Sequence, residues 1–313
     1  MLDKTSNSRP RLEGIVPPMV TPLMAWDQLD CEGLEKVIEH VLKGGVHGLF
    51  ILGTTGEAAS LGYGLRKQVV ERVCRQAASR VPVLVGITDT VFEESVKMAK
   101  AAADQGATAV VVAAPFLMST VQNDLQAYLK HLVSQSPLPV YLYHVPPLTK
   151  TRFELETVRW AMDQDRIIGL KDSAGDLNWC EQVCGLLPRR PDWSVLAGPE
   201  ELLADYVARG AHGGVCGGAN LFPGLYVRFY EAARTKDAGQ IEPLRLLVKA
   251  VGENLYRLED HPTAILKVLK CALSQKGLCR NVIAEPFQPL GTEKQRLVRE
   301  RLEKLQQLLE LVI

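Results

Sequence analysis

Three short stretches of the chain carry side chains that could do chemistry together. They are Gly-Thr-Thr-Gly-Glu at 53–57, Tyr-Leu-Tyr-His-Val-Pro-Pro at 141–147 and Gly-Leu-Lys-Asp-Ser-Ala-Gly-Asp at 169–176. Lys171 ends a short apolar run and is followed by turn formers. A buried ammonium is costly unless it is paired or gives up its proton. Lys171 therefore either points to solvent from a strand end, or its amine has been placed somewhere dry. A dry amine is a nucleophile for ketones and forms a Schiff base. The Tyr143 phenol could pass protons to and from a substrate oxygen; as a lone tyrosine it could equally fill a core with its hydroxyl satisfied. The 53–57 stretch is a glycine-flanked turn opening a helix, whose N–H groups and hydroxyls can bind an anion. No Gly-Lys-Ser/Thr follows, so a carboxylate fits it better than a triphosphate. Its plainer alternative is an ordinary strand-to-helix turn with threonine caps.

These side chains need elements that bring them together. Eight short apolar runs recur at 14–20, 48–52, 81–87, 108–114, 139–145, 167–171, 194–198 and 213–217. Continuous apolar runs of this length suit strands buried on both faces of a parallel sheet. Amphipathic stretches lie between them, with apolar residues recurring at three and four and glycine closing several ends. Strand then helix, repeated eight times, is the arithmetic of an α/β fold of the (β/α)8 TIM barrel type. An open doubly wound sheet is the rival, but no Gly-x-Gly-x-x-Gly follows an early strand. After residue 220 only helix signals remain. The division expected is a catalytic barrel over 1–235 and a C-terminal helical extension over 236–313. The last helix signal, with leucines at 297, 302, 305, 308, 309 and 311 between charges, reads as an amphipathic helix packed on the chain's own body or, alternatively, on a partner. In a barrel the chemistry sits at the C-terminal strand ends. Gly53, Thr54 and Thr55 fall at the second tip, Tyr143 at the fifth, Lys171 at the sixth, Gly198 with Glu200 and Glu201 after the seventh, and Val215 on the eighth.

Composition limits the partners. Lys+Arg and Asp+Glu are both 36 in 313 residues, so no net field favours nucleic acid or an anionic membrane. No apolar run approaches the roughly 20 residues of a membrane-spanning helix. The opening, Met-Leu-Asp-Lys-Thr-Ser-Asn-Ser-Arg-Pro, lacks the apolar centre of a secretory signal, so a cytoplasmic location is expected. The seven cysteines are scattered, with no Cys-x-x-Cys pair, and read as reduced thiols. Cys180 and Cys184, four apart, could share a helix face. The six histidines fall in different segments without metal-ligand spacing, so no metal is expected. An anion-binding turn, a phenol and an amine around one barrel mouth describe a metal-free aldolase acting on a 2-oxo acid.

The same motifs carry a resemblance. Gly-Thr-Thr-Gly-Glu after the second strand, Tyr-His-Val-Pro on the fifth, Gly-Leu-Lys-Asp-Ser-Ala-Gly-Asp on the sixth and Gly-Gly-Val-Cys-Gly-Gly-Ala-Asn on the eighth resemble the dihydrodipicolinate synthase / N-acetylneuraminate lyase family, from Gly14 through the C-terminal helices. The resemblance implies a class I lyase or aldolase holding pyruvate, or the pyruvate-like end of a substrate, as an imine on Lys171. It implies that Thr54 and Thr55 hold the carboxylate, that Tyr143 shuttles protons, and that Gly198 and Val215 line the site with backbone groups. It also implies a cytoplasmic homotetramer needing no metal or other cofactor.

Where the chain departs from the family, the departures bear on the substrate. Synthase members usually carry an arginine two residues after the proline of the fifth-strand motif, gripping a second carboxylate. Leu148 stands there and cannot make a charge-assisted pair, which points to the sialate lyase and keto-deoxy sugar acid aldolase branches. His144 stands where asparagine is common. The segment that lends a tyrosine to a neighbouring subunit in synthases reads Phe116-Leu117-Met118, without a phenol. The Gly-Tyr-Asp-Glu run of sialate lyases is Gly198-Pro199-Glu200-Glu201, which keeps carboxylates and lacks the aromatic, and Gly217 matches a serine usual in that branch. The expected reaction is reversible cleavage of a 2-oxo acid, a 2-keto-3-deoxy sugar acid, to pyruvate and an aldehyde. The rivals are dihydrodipicolinate synthase-type condensation, imine-based dehydration, and a non-catalytic 2-oxo-acid-binding protein.

Overall fold

Each of the eight apolar runs forms a strand, and all eight join one parallel sheet in a computed structural model that describes residues 11–261 and 263–312. The polar opening at 1–10, Pro262 at the head of a helix signal, Ile313 and the side chains of Leu311 and Val312 lie outside what is described. The strands are β1 (Gly14–Ile15), β4 (Leu49–Ile51), β5 (Val83–Gly86), β6 (Ala109–Ala113), β7 (Val140–His144), β8 (Ile167–Asp172), β9 (Ser194–Ala197) and β10 (Gly213–Gly214), in the order β1-β10-β9-β8-β7-β6-β5-β4. The two ends of that order meet: Pro18 bridges Phe50, Met19 N–H donates to the Phe50 carbonyl at 2.8 Å, and Phe50 N–H donates to the Pro17 carbonyl at 3.0 Å. The sheet is thus a closed eight-stranded barrel. Pro17 and Pro18 have no N–H to give to a ladder, which explains why β1 is short. A small antiparallel hairpin, β2 (Leu23–Ala25) with β3 (Gln28–Leu29), follows β1; its short strands gave no apolar run to detect.

Helices α1 (Cys31–Lys43), α2 (Tyr63–Ala77), α3 (Phe92–Asp104), α4 (Gln122–Gln135), the single turn α5 (Pro146–Thr149), α6 (Leu155–Met162), α7 (Leu177–Cys184), α8 (Leu203–Ala208) and α9 (Pro223–Thr235) surround the barrel. Side-chain caps fix three helix starts: Asp30 accepts from Gly33 N–H, Asp176 from Trp179 N–H and Asp237 from Gln240 N–H. Cys180 and Cys184 do share a face of α7, their sulfurs 3.9 Å apart.

Strand alternation divides the apolar residues between two cores. Along β6, Val110 and Val112 face the helix layer, while Ala109, Val111 and Ala113 fill the barrel with Phe50, Tyr141, Tyr143, Leu196 and Val215. Tyr141 and Tyr143 therefore both point inward. Gly169 makes this possible, since a Cβ there would lie 2.2 Å from the Tyr141 ring.

Beyond the barrel run α10 (Ala238–Leu255), α11 (Ala264–Gln275) and α12 (Thr292–Val312). The apolar stripe of α12 packs on its own chain, with Val298, Leu302 and Leu305 buried, and α12 contacts both α10 and α11. Among the described residues, no helix is long and apolar enough to cross a membrane.

Candidate active site

Lys171 and Tyr143 are direct neighbours across the β7–β8 ladder. Both side chains project from the C-terminal strand ends into the barrel mouth, into a cavity of about 880 Å³. Lys171 is only 7% exposed. Its Nζ lies 4.0 Å from the centre of the Tyr143 ring and 5.1 Å from that of Phe50, and the two rings meet edge to face. Among the described residues no carboxylate pairs with this ammonium. Aromatic faces offer a cation modest compensation while leaving its nitrogen open to a ligand.

The phenol of Tyr143 has Thr54, Ser173 and Lys171 as its polar neighbours. Burial by itself pushes the phenol up, but the Lys171 ammonium, with the polar side chains of Thr54 and Ser173, outweighs it, so Tyr143 sits below its ordinary value. A phenol so placed can give up and retake a proton more readily than one in water.

The Gly53–Glu57 turn stands opposite. Gly56 N–H and Ala58 N–H donate to the Gly53 carbonyl and Glu57 N–H to the Thr54 carbonyl. The N–H groups of Thr54 and Thr55 have no acceptor among the described residues. Both threonines and Gly53 line the cavity, leaving two backbone donors and two hydroxyls for an anion. Thr21 holds the turn from behind, its hydroxyl donating to the Gly56 carbonyl at 2.8 Å.

Gly198 and Val215 also line the cavity. Their N–H groups are used in the sheet, Gly198 donating to the Asp172 carbonyl at 2.6 Å and Val215 to the Ala197 carbonyl at 2.7 Å. Their carbonyls are what remains to face a ligand. Gly198 is required by Ser173, because a Cβ at 198 would lie 2.1 Å from the serine oxygen. Ser173, at the same strand tip, has no role that its residue type announces in sequence, although the period of two that turns Lys171 inward turns Ser173 inward as well.

The two glutamates after β9 behave differently from each other. Glu200 accepts from Tyr226 O–H at 2.7 Å and from Gly218 N–H at 2.9 Å. Burial raises its carboxyl above the ordinary value against those hydrogen bonds. Glu201 leans toward α10, where a Cβ on Gly252 would meet its Oε1 at 2.6 Å. Tyr256, from the turn after α10, lines the same wall, so an aromatic missing beside Glu200 in sequence arrives from 56 residues further along. Phe116, Leu148, Ile265, Leu266 and Phe287 add apolar surface to the mouth, between the hydroxyls of Ser60, Thr88, Thr149 and Thr263. Lys171 is the one cationic side chain among the described lining residues, against Glu57, Glu200 and Glu201.

His144 and Asp172 alternate away from the cavity. His144 is fully buried, stacks on Trp179 with ring centres 4.1 Å apart, and its Nδ1 accepts from Phe153 N–H at 3.2 Å. Burial, aided by Arg152, pulls it down to about 3, so it is a neutral packing residue behind β7. Asp172 accepts from Tyr206 O–H at 2.7 Å and from Ala174 N–H at 2.8 Å, bracing the tip of β8 behind Lys171.

The barrel carries a buried amine, a phenol and a turn with free N–H donors at one mouth. The comparisons are specific. The sequence profile of the Dihydrodipicolinate synthetase family matches residues 11–305. An uncharacterized DapA-like lyase of Halobacterium salinarum is 32% identical over 282 residues, 90% of each chain. The dihydrodipicolinate synthase structure from Bacteroides thetaiotaomicron is 44% identical, with a TM-score of 0.92 over 95% of this chain and 99% of that one. YagE, a prophage protein of the dihydrodipicolinic acid synthase family from E. coli K12 solved with pyruvate, is 27% identical, with a TM-score of 0.88 over 94% and 98%. The chain belongs to the dihydrodipicolinate synthetase family and is a lyase of the dihydrodipicolinate synthase / N-acetylneuraminate lyase type.

Proposed function

We propose that the enzyme reversibly cleaves a 2-keto-3-deoxy sugar acid to pyruvate and a hydroxylated aldehyde through an imine on Lys171, without metal or other cofactor. The observation that carries this reading is the unpaired, buried amine of Lys171 beside the Tyr143 phenol, facing a turn with free N–H donors. The pyruvate complex of the relative YagE supports a 2-oxo acid as ligand.

The substrate carboxylate docks on the N–H groups and hydroxyls of Thr54 and Thr55, which puts the keto carbon in reach of Lys171. The free amine attacks that carbon. Tyr143 carries a proton to the resulting alkoxide and then to the departing hydroxyl, so that water leaves and the iminium forms. Tyr143, or water ordered by it, next takes the C4 hydroxyl proton; the C3–C4 bond electrons flow into the iminium and the aldehyde departs. Protonation of the enamine at C3 and hydrolysis release pyruvate. Thr54 and Ser173 flank the phenol and favour its ionised form between transfers.

The charge around the cavity favours this aldehyde class over a carboxylated partner. Beyond Lys171 the described walls offer carboxylates, hydroxyls and apolar groups but no second cation, which suits a hydroxylated partner and leaves a second carboxylate without a charge-assisted pair. Assembly as a homotetramer belongs to the same proposal. Leu117, 87% exposed, and Met118, 79% exposed, stand near the mouth, and light scattering in solution tests whether a second copy covers them.

Borohydride added to protein and pyruvate should leave a stable adduct on Lys171 by mass spectrometry. An unmodified, folded protein would sink the imine. A panel of 2-keto-3-deoxy acids, sialate and aspartate semialdehyde with pyruvate, scored for pyruvate release or consumption in strong chelator, separates cleavage from condensation, dehydration and metal dependence. Pyruvate trapping with no turnover of any of them would mean a binding protein.

A further inference from the structure

The Gly53–Glu57 turn ends in a carboxylate, which is an odd neighbour for an anion receptor. Glu57 lies two residues beyond Thr55, in the left-handed region at φ 57°, and lines the same cavity. Its side chain is 1% exposed. One oxygen is in ion contact with Lys270 of α11, and the other accepts from Ala284 N–H at 2.7 Å. Lys270 is itself completely buried and donates to the Val282 carbonyl at 2.7 Å. Burial pulls this ammonium below the ordinary lysine value against the pull of Glu57.

A buried ion pair is a weak device for stability, since an apolar pair of similar volume does as well or better. This pair calls for another reason. An unbalanced carboxylate beside the turn would repel the carboxylate of a 2-oxo acid in a site of low dielectric. At the same time the carboxylate is what ties the turn to the C-terminal helices, through Lys270 and Ala284. Fixing the turn with a charge therefore demands a counter-charge from outside the barrel.

We propose that Lys270 is a positioning and charge-balancing residue: it cancels Glu57, so that the turn is held rigidly by α11 yet stays receptive to anions. The proposal rests on the reading that this turn holds the substrate carboxylate. Substrate affinity is then set in part by a residue that does not line the cavity and comes from outside the barrel.

A charge cycle tests it. Lys270→Met should raise the pyruvate concentration that half-saturates borohydride trapping at Lys171 by about tenfold or more. Glu57→Gln combined with Lys270→Met removes both charges and should recover to within about threefold of the parent. If Lys270→Met does not fold, Lys270→Gln, which keeps a donor for Glu57 without a charge, takes its place. A double variant as impaired as the single, or a single with lower stability and unchanged half-saturation, overturns the proposal. D-Lactate, which cannot form an imine, separates the two ideas, read by thermal shift. Parent protein that binds lactate with this charge pattern but does not trap pyruvate removes the Schiff base and keeps Lys270. Parent protein that binds neither overturns both.

Discussion

Lys171 and Lys270 are both buried lysines, and the chain treats them in opposite ways. Lys270 has a carboxylate and a carbonyl for its ammonium; Lys171 has two aromatic rings, a phenol and an open cavity. In the first case the protein commits the ammonium to a carboxylate and a carbonyl and obtains an anchor. In the second it leaves the compensation incomplete, so the nitrogen is available to a ligand. Burial is common to both lysines; a committed charged partner is what separates them.

The widest separation comes from removing each lysine in turn. Lys171→Ala should abolish trapping and reduce turnover on the order of 10³-fold or more, with stability little changed, because it orphans no buried partner. Lys270→Ala should lower stability in urea by about 3–5 kcal/mol by leaving Glu57 uncompensated, while saturating pyruvate still modifies Lys171. A collapsed Lys171→Ala beside an untroubled Lys270→Ala would invert the comparison.

Next is the group that makes Lys171 useful. Tyr143→Phe keeps the ring beside the amine and removes the proton carrier, so turnover should fall by roughly 10²–10⁴-fold. Single-turnover trapping should slow and still reach completion. Unimpaired turnover would take Tyr143 out of the relay.

A third buried base shows what burial does without either a partner charge or a cavity. His144 is held at about 3 against 6.5 for the free side chain. The unfolded chain takes up this proton near pH 6.5 and the folded chain does not, so the contribution is whole above 6.5 and is lost as pH falls toward 3. The slope is at most about 1.4 kcal/mol per pH unit. His144→Asn should flatten urea stability between pH 6 and pH 4 by about that slope, leaving the similar share of His212, which burial pulls down to about 4. An unchanged slope would mean that His144 is not neutral in the fold.

The smallest effect is expected at the rim. Leu148→Arg adds a second cation where the side chain is 48% exposed, so a carboxylated aldehyde such as aspartate semialdehyde should gain up to about fivefold in kcat/KM over glyceraldehyde. No gain would remove Leu148 as a determinant.

Much of this was legible in the residues. Runs such as Ala109–Ala113 are apolar at every position because both faces are buried, and that reads directly as parallel strand; eight of them separated by amphipathic stretches give the barrel. Strand period then places Lys171 and Tyr143 at one mouth, since neighbours at tips of a closed sheet must converge. Elements without a periodic signature escaped, among them the Leu23–Leu29 hairpin and the single turn at Pro146–Thr149. Ser173 follows from the same period, but its place beside the phenol does not.

Local pattern therefore determined the fold, the lysine, the phenol and the turn. Tertiary structure alone decided that Tyr256 joins Glu200, that His144 stacks on Trp179, and that Glu57 meets Lys270 across more than 200 residues of chain. Periodicity reports which face a side chain takes relative to its own backbone. Partners brought together by closure of the barrel and docking of the C-terminal helices leave no periodic trace, because their spacing along the chain carries no information about their distance in space.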